Sequence, residues 1–269
     1  LHSQTTGSIT TGNRLNQAFF LKEMSGGDAL RALTPTGSLV DAYPMADGRL
    51  IHESGSTYDP KDPYRDRDPR LAQSIIYPTS TIRESKTMTW VLYDPESEKS
   101  IPGQRYDAKE PSSSGYVWKK YCDWSDHAMI QILDGGVDVI YFRYADVLLM
   151  HAEALLETKG IAASSEIFAI INQLRDRCGG GRVTEANYTS EDALRTLVRN
   201  ERRVELANEG LRFFDIRRWK VAEKTVAVSG EGMNGEVYGA FMRLDGVGAT
   251  DRTVMVDGVP RRCLLYTSP

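Results

Sequence analysis

No stretch of this 269-residue chain approaches the roughly 18 consecutive apolar residues that a membrane-spanning helix requires. Cysteine is scarce. Cys122, Cys178 and Cys263 are widely spaced and odd in number, which fits neither a disulfide framework nor a zinc-ligand pattern. An excess of one charge is also missing. The 33 Lys and Arg face 37 Asp and Glu, and a formal net charge of −4 gives no hint of a polyanionic partner. The four histidines, His2, His52, His127 and His151, lie in unrelated contexts. No Gly-x-Ser-x-Gly elbow, phosphate loop or dinucleotide fingerprint occurs, so nothing calls for a cofactor. What is present is ordinary for a globular domain: 41% apolar and 26% charged residues.

The chain divides near residue 140. Residues 1–140 are rich in loop signals such as Thr34-Pro35, Asp47-Gly48, Asp62-Pro63 and Ser112-Ser-Ser-Gly115. Short strands are expected at Ser74–Tyr77 and Thr87–Tyr93. Residues 141–224 read as a helical core. Tyr144, Val147, Leu148, His151, Ala152 and Leu155 recur at helical spacing over 143–158, and Gly160 is a C-cap candidate. His151 falls on that apolar stripe and reads as a core imidazole. A second helix runs from an N-cap at Ser164 or Ser165 to about Cys178, where Gly179-Gly-Gly181 stops it. Its stripe of Ile167, Ile170, Ile171, Leu174 and Cys178 makes Cys178 a core thiol. A third helix starts at Thr189 with Asp192 as a capping pair and ends near Gly210. Residues 225–260 fade into Gly-rich pieces with a strand candidate at Arg252–Val256. Residues 261–269 read as a non-native tail, set aside from the fold.

The third helix carries its charges where a plain amphipathic helix would not. At about 100° per residue, Leu194, Leu197, Val198, Glu201, Val204 and Glu205 fall on one side, and both glutamates lie near the centre of the apolar stripe. Arg195, Arg199, Arg202 and Arg203 point elsewhere. Buried carboxylates are costly unless paired, and the planar guanidinium is their natural partner. The nearest cations beyond Gly210 are Arg212, Arg217 and Arg218, so two helices clamped by a structural Arg–Glu network are expected. Metal binding by Glu201 and Glu205 would need a Glu-x-x-His repeat on another helix, which His151-Ala-Glu153 does not supply. The seven arginines between 195 and 218 are offset by Glu191, Asp192, Glu201, Glu205, Glu209 and Asp215, so no nucleic-acid stripe forms. The Asp- and Arg-dense run Tyr58–Arg70 lacks the alternating ligands of a calcium loop and reads as salt-bridged packing.

Glu201-Arg-Arg-Val-Glu-Leu-Ala-Asn-Glu-Gly210 followed by Phe213-Phe-Asp-Ile-Arg-Arg-Trp219 closely resembles the signature of SusD/RagB-family proteins. Other landmarks of that family follow in order: Leu39–Gly48, Arg67-Asp-Pro-Arg-Leu71, Gly115-Tyr116 with Lys120-Tyr121, Arg143–Met150 with Ala152-Glu-Ala154, and Ile171–Arg177. The resemblance covers residues 39–220. It implies a mainly α, SusD-like fold with a tetratricopeptide-like helix hairpin, long loops and short strands. It also implies a non-catalytic, surface-exposed lipoprotein of the Bacteroidetes outer membrane. Such a protein binds oligo- or polysaccharide and delivers it to a SusC-like TonB-dependent transporter. By the same resemblance, a lipid-carrying Cys and the helices that would cover a lone hairpin are expected in an N-terminal half missing from this sequence.

The family's glycan contacts form no sequence motif, so candidate ligand residues rest on chemistry. Trp90, Tyr93, Trp118 and Trp124 lie in the loop-rich part near Asp94, Lys119 and Asp123. Aromatic faces suit the C–H faces of sugars and give contact area at low entropic cost. The same rings could instead fill seams between loops. A glycoside hydrolase, which needs two carboxylates across a sugar, and a purely structural transporter lid remain as alternatives.

Overall fold

The computed structural model describes residues 33–59, 62–77, 114, 116–122, 137–138 and 140–222, together with the backbone of strands at 238–239, 253–256 and 259–263. The fold is mainly α. Its described elements are α1 (Gly37–Ala42), α2 (Pro69–Ser74), β1 (Ile75–Ile76), β2 (Val117–Trp118), α3 (Tyr144–Lys159), α4 (Ser164–Cys178), α5 (Glu191–Glu205), α6 (Arg212–Arg218), β3 (Tyr238–Gly239), β4 (Thr253–Val256) and β5 (Val259–Cys263). Short 3-10 turns occupy Gly160–Ala163 and Glu185–Asn187.

The chain forms two compact units. One comprises residues Asp41–Leu71 and Ile140–Asn234; the other comprises Leu1–Val40, Ala72–Val139 and Gly235–Pro269. The segment 41–71, read from sequence as part of a loop-rich region that wraps the helices, belongs to the helical unit. Arg70 of this segment pairs with Glu201 and Glu205 of α5, and Arg175 of α4 donates to the Gly48 carbonyl. In the other unit, β1 and β2 pair antiparallel with Ile75 opposite Trp118, and β5 lies between β3 and β4. The strand expected at Arg252–Val256 is β4, and its partner β5 runs into the segment read as a tail. The strand expected at Thr87–Tyr93 lies outside the described residues.

In the helical unit α3, α4 and α5 share one apolar core, built on Leu149, Leu156, Ile167, Ile171, Leu174, Leu194, Leu197 and Val198. Gly160 (φ 59°) and Gly179 (φ 75°) close α3 and α4 as expected, because a positive φ costs glycine no Cβ clash. Three sequence expectations shift. α4 continues from the 3-10 turn with Ala163 in the N-cap position, so neither Ser164 nor Ser165 caps it; Ser165 Oγ instead donates to Glu185. Ser190, not Thr189, caps α5, its hydroxyl accepting from the Ala193 N–H at 3.2 Å. α5 ends at Glu205 rather than near Gly210, because Arg143 Nη2 donates to the Glu205 carbonyl at 2.6 Å and the chain turns through Asn208 at φ 63°.

The stripe of α3 is also rotated from the expected one. Ala145, Leu148, Leu149, Ala152, Leu155 and Leu156 are buried. Tyr144 and Val147 are exposed, and so is His151, which corrects its reading as a core imidazole. The physical cause is that α3 carries apolar residues around most of its circumference. Periodicity alone therefore could not select the side that meets α4 and α5.

Candidate functional site

α5 presents Glu201 and Glu205 to the interior, as its wheel requires, with Glu201 fully buried. Their cations come from elsewhere than expected. Arg70 Nη1 donates to Glu201 Oε1 at 2.5 Å and to Glu205 Oε2 at 3.1 Å, while its Nη2 pairs with Asp68 at 2.8 Å. Arg175 Nε donates to Glu201 Oε2 at 2.9 Å from the last turn of α4. Arg143 and Arg177 both pair with Glu205 Oε1 at 2.6 Å. Arg143 also grips Glu209.

Arg202, expected to point away from the core, is buried. It bridges Asp146 of α3 at 2.6 Å and Asp215 of α6 at 2.8 Å. The three cations expected to clamp the glutamates take other positions. Arg218 pairs with Glu153 and Asp215, Arg217 lies over the Phe213 ring, and Arg212 lies 5.9 Å from the Trp219 ring centroid. Trp219 itself donates to Glu153 at 2.7 Å and has Arg199 and Arg218 within 4.8 Å of its ring. α6 is therefore fastened to α3 and α5, but through Asp215 and Glu153.

Burial would push the Glu201 carboxyl up, yet Arg175 and Arg70 outweigh it and hold it down to about 2. Glu205 is likewise lowered against its own desolvation, chiefly by Arg143. Glu153 is lowered by Arg218 and the Trp219 N–H, again against desolvation. Carboxylates fixed in this way stay ionised at neutral pH and accept from the guanidiniums around them. They suit a structural clamp and not proton transfer.

Backbone enters the same cluster. Arg175 Nη1 donates to the carbonyls of Gly48 at 3.1 Å and Gly181 at 3.0 Å. A Cβ on Gly181 would collide with the backbone of Ala46, Asp47 and Gly48, so the Gly179–Gly181 run permits this approach as well as stopping α4. In the Asp- and Arg-rich run, Arg67 donates to the carbonyls of Tyr43, Pro44 and Pro63. Arg70 forms the buried ion pair of this run, with Asp68, whereas the pairs of Arg65 with Asp62 and Asp66 are exposed.

Trp118 lies on β2 with its side chain 8% exposed, opposite Ile75. The turn after it is held by Lys119 and Lys120 N–H groups donating to the Ser74 carbonyl, and by Lys119 Nζ donating to the Ala72 carbonyl. Tyr121 adopts φ 64° with Lys120 Nζ 5.7 Å from its ring. Burial pushes the Cys122 thiol up, and its Sγ donates to the Trp118 carbonyl. Cys178, half-buried, donates to the Arg175 carbonyl, and desolvation raises its thiol too. Trp90, Tyr93, Trp124, Asp94 and Asp123 lie outside the described residues. Among the described residues no group of three or more His, Cys, Asp or Glu side chains could hold a metal ion.

The residues missed from sequence are Arg70, Arg143, Arg175 and Arg177. A signal for them was present: each sits within one of the ordered motifs, and each motif ends or begins on an arginine. Only the fold brings those motifs to Glu201 and Glu205.

A family model described as the SusD family matches residues 2–242. SusD-like protein P2 of Formosa agariphila is 37% identical over 102 residues, covering 36% of this chain and 20% of that protein. SusD-like protein P38 of the same organism is 34% identical over 99 residues, covering 35% and 18%. A SusD-like carbohydrate-binding protein of Bacteroides fragilis superposes with a TM-score of 0.62 at 27% identity, covering 94% of this chain and 46% of its own. A second Bacteroides fragilis SusD-like structure, at 24% identity and TM-score 0.61, covers 97% and 47% and shows the same fold. The matched region is thus about a fifth of the curated relatives' length, and the chain spans just under half of these solved structures.

Proposed function

The chain belongs to the SusD family, and on that premise we propose that it binds oligo- or polysaccharide without catalysis at the bacterial outer-membrane surface and passes it to a SusC-like TonB-dependent transporter. The family match over residues 2–242 carries this reading, and the carbohydrate-binding description of the Bacteroides fragilis neighbour supports it. The structure adds a chemical reason. Glu201 and Glu205 look like an acid pair at i and i+4, but each is held by at least two guanidiniums and lowered in pKa. That arrangement stabilises the helices and leaves no proton to exchange at neutral pH.

The ligand is sought first at Trp90, Tyr93, Trp118 and Trp124. Isothermal titration of the full-length protein against a polysaccharide panel should find at least one binder. Alanine at one or more of these four positions should weaken that affinity about thirtyfold, the equivalent of about 2 kcal/mol. Release of new reducing ends that vanishes on replacing one Glu or Asp would refute the non-catalytic reading. Binding that survives all four substitutions would move the site elsewhere.

A further inference from the structure

Among the described residues, four other than glycine hold a positive φ: Asp66, Tyr121, Asn208 and Lys220. Asp and Asn tolerate that region better than other side chains do. Lys220 lies just past α6, where its own N–H and that of Val221 donate to the Arg217 and Ile216 carbonyls and close the helix. Tyr121, at φ 64°, has neither explanation. It is the third residue of a β-turn closed by the Cys122 N–H donating to the Lys119 carbonyl at 3.2 Å. A positive φ at that position favours glycine, and a bulky ring there is strained. Strain of this kind persists only where the surroundings over-determine it, and it gathers at positions that hold ligands. The turn is over-determined. The Lys119 and Lys120 N–H groups donate to the Ser74 carbonyl at 2.9 and 3.1 Å, Lys119 Nζ donates to the Ala72 carbonyl at 3.0 Å, and Cys122 Sγ donates to the Trp118 carbonyl.

We propose that Tyr121 is a glycan contact, its ring stacking on a pyranose face at the tip of this pinned turn. The assignment rests on the glycan reading above and names a residue for it. Trp118, three positions earlier, is 8% exposed, which leaves too little of its ring for a sugar to lie on, whereas Tyr121 is only partly buried. The left-handed backbone turns the chain out of β2, and a ring fixed in this way gives contact area at low entropic cost. Lys120 Nζ lies 5.7 Å from the Tyr121 ring centroid, so ammonium donors stand beside the stacking ring, ready for sugar hydroxyls. Stacking reads the C–H face of a sugar and not its pattern of hydroxyls. A contact of this kind therefore suits a residue inside a motif shared with the family, while discrimination between glycans is left to other side chains.

Tyr121→Gly separates this role from plain packing, because it removes the ring and the backbone strain together. The full-length protein and its variants are titrated calorimetrically with starch, dextran, xylan, mixed-linkage β-glucan and galactomannan, and each is melted in parallel. Tyr121→Gly is expected to melt at or above the parent's midpoint while losing about tenfold or more in affinity for whichever polysaccharide the parent binds. Tyr121→Phe keeps the stacking face and should bind within about threefold of the parent. Should Tyr121→Gly fail to fold, Tyr121→Asn replaces it, since Asn also accepts a positive φ and carries no ring. A ring-free variant that binds like the parent would overturn the proposal. So would a midpoint that falls together with the affinity, which would return the ring to packing. A parent that binds none of the five polysaccharides would count against the glycan reading itself and remove this assignment with it, an outcome distinct from a parent that binds and a variant that matches it.

Discussion

At the scale of single residues, Arg70 holds the centre of the network, because one guanidinium serves Asp68, Glu201 and Glu205 together. Removing one member of a buried pair leaves the other uncompensated, at a cost of about 3–5 kcal/mol. Glu201→Ala and Glu205→Ala should each lower stability by that order in urea titration, and a variant that melted like the parent would contradict the clamp. Acid should act on the same bond. Glu201 titrates near 2 in the folded chain against 4.5 when unperturbed, so its contribution is complete above about pH 4.5 and is lost as pH falls towards 2. The difference corresponds to about 3 kcal/mol. A stability–pH series should show this acid limb, and Glu201→Gln should flatten it. The two glycines that flank Gly180 differ in kind. Gly181→Ala meets backbone and should cost about 1–3 kcal/mol through overpacking. Gly179→Ala meets nothing within 4 Å and should cost only the strain of its positive φ, about 1 kcal/mol.

At the scale of elements, α5 is the helix most completely described by its own sequence, since its expected apolar stripe and its buried set coincide except at Arg202. Its start depends on one hydroxyl. Ser190→Ala should reduce stability by about 1 kcal/mol, whereas Thr189→Ala should leave the unfolding midpoint nearly unchanged. α3 behaved differently because its periodicity was ambiguous, and the side it buries was chosen by α4 and α5. The six-residue α2 shows a further limit. Nothing in Pro69–Ser74 announces that Arg70 will lie 131 positions from its carboxylate partner in sequence and 2.5 Å from it in space. Trp118 on β2 is buried against its strand partner, so Trp118→Ala should lower thermal stability whether or not the ring also contacts a ligand.

At the scale of the molecule, the ordered SusD-like motifs converge. Arg70, Arg143, Arg175 with Arg177, Glu201 with Glu205, and Asp215 with Arg218 come from four separated motifs and meet in two sets of ion pairs of the helical unit, one around Glu201 and Glu205 and one around Arg202 and Asp215. Gly48 joins through its carbonyl. Loss of any one motif should therefore loosen the whole unit cooperatively. Hydrogen exchange of Arg70→Ala should show deprotection in α4 and α5 together, and protection lost only around residue 70 would argue against such coupling.

The sequence by itself determined what short-range periodicity and backbone chemistry can encode. It marked α3, α4 and α5, the glycine stops of α3 and α4, the inward side of α5, and the presence of two buried glutamates, because each of these depends on residues within a few turns of one another. It also carried the family, because the motifs occur in order. The tertiary structure alone decided which arginines neutralise Glu201 and Glu205, that Arg202 is buried, that His151 is not, and that residues 41–71 join the helical unit. Those outcomes depend on contacts between positions tens to more than a hundred residues apart. A guanidinium reads the same in sequence whether it ends in water or against a carboxylate, and packing decides between the two.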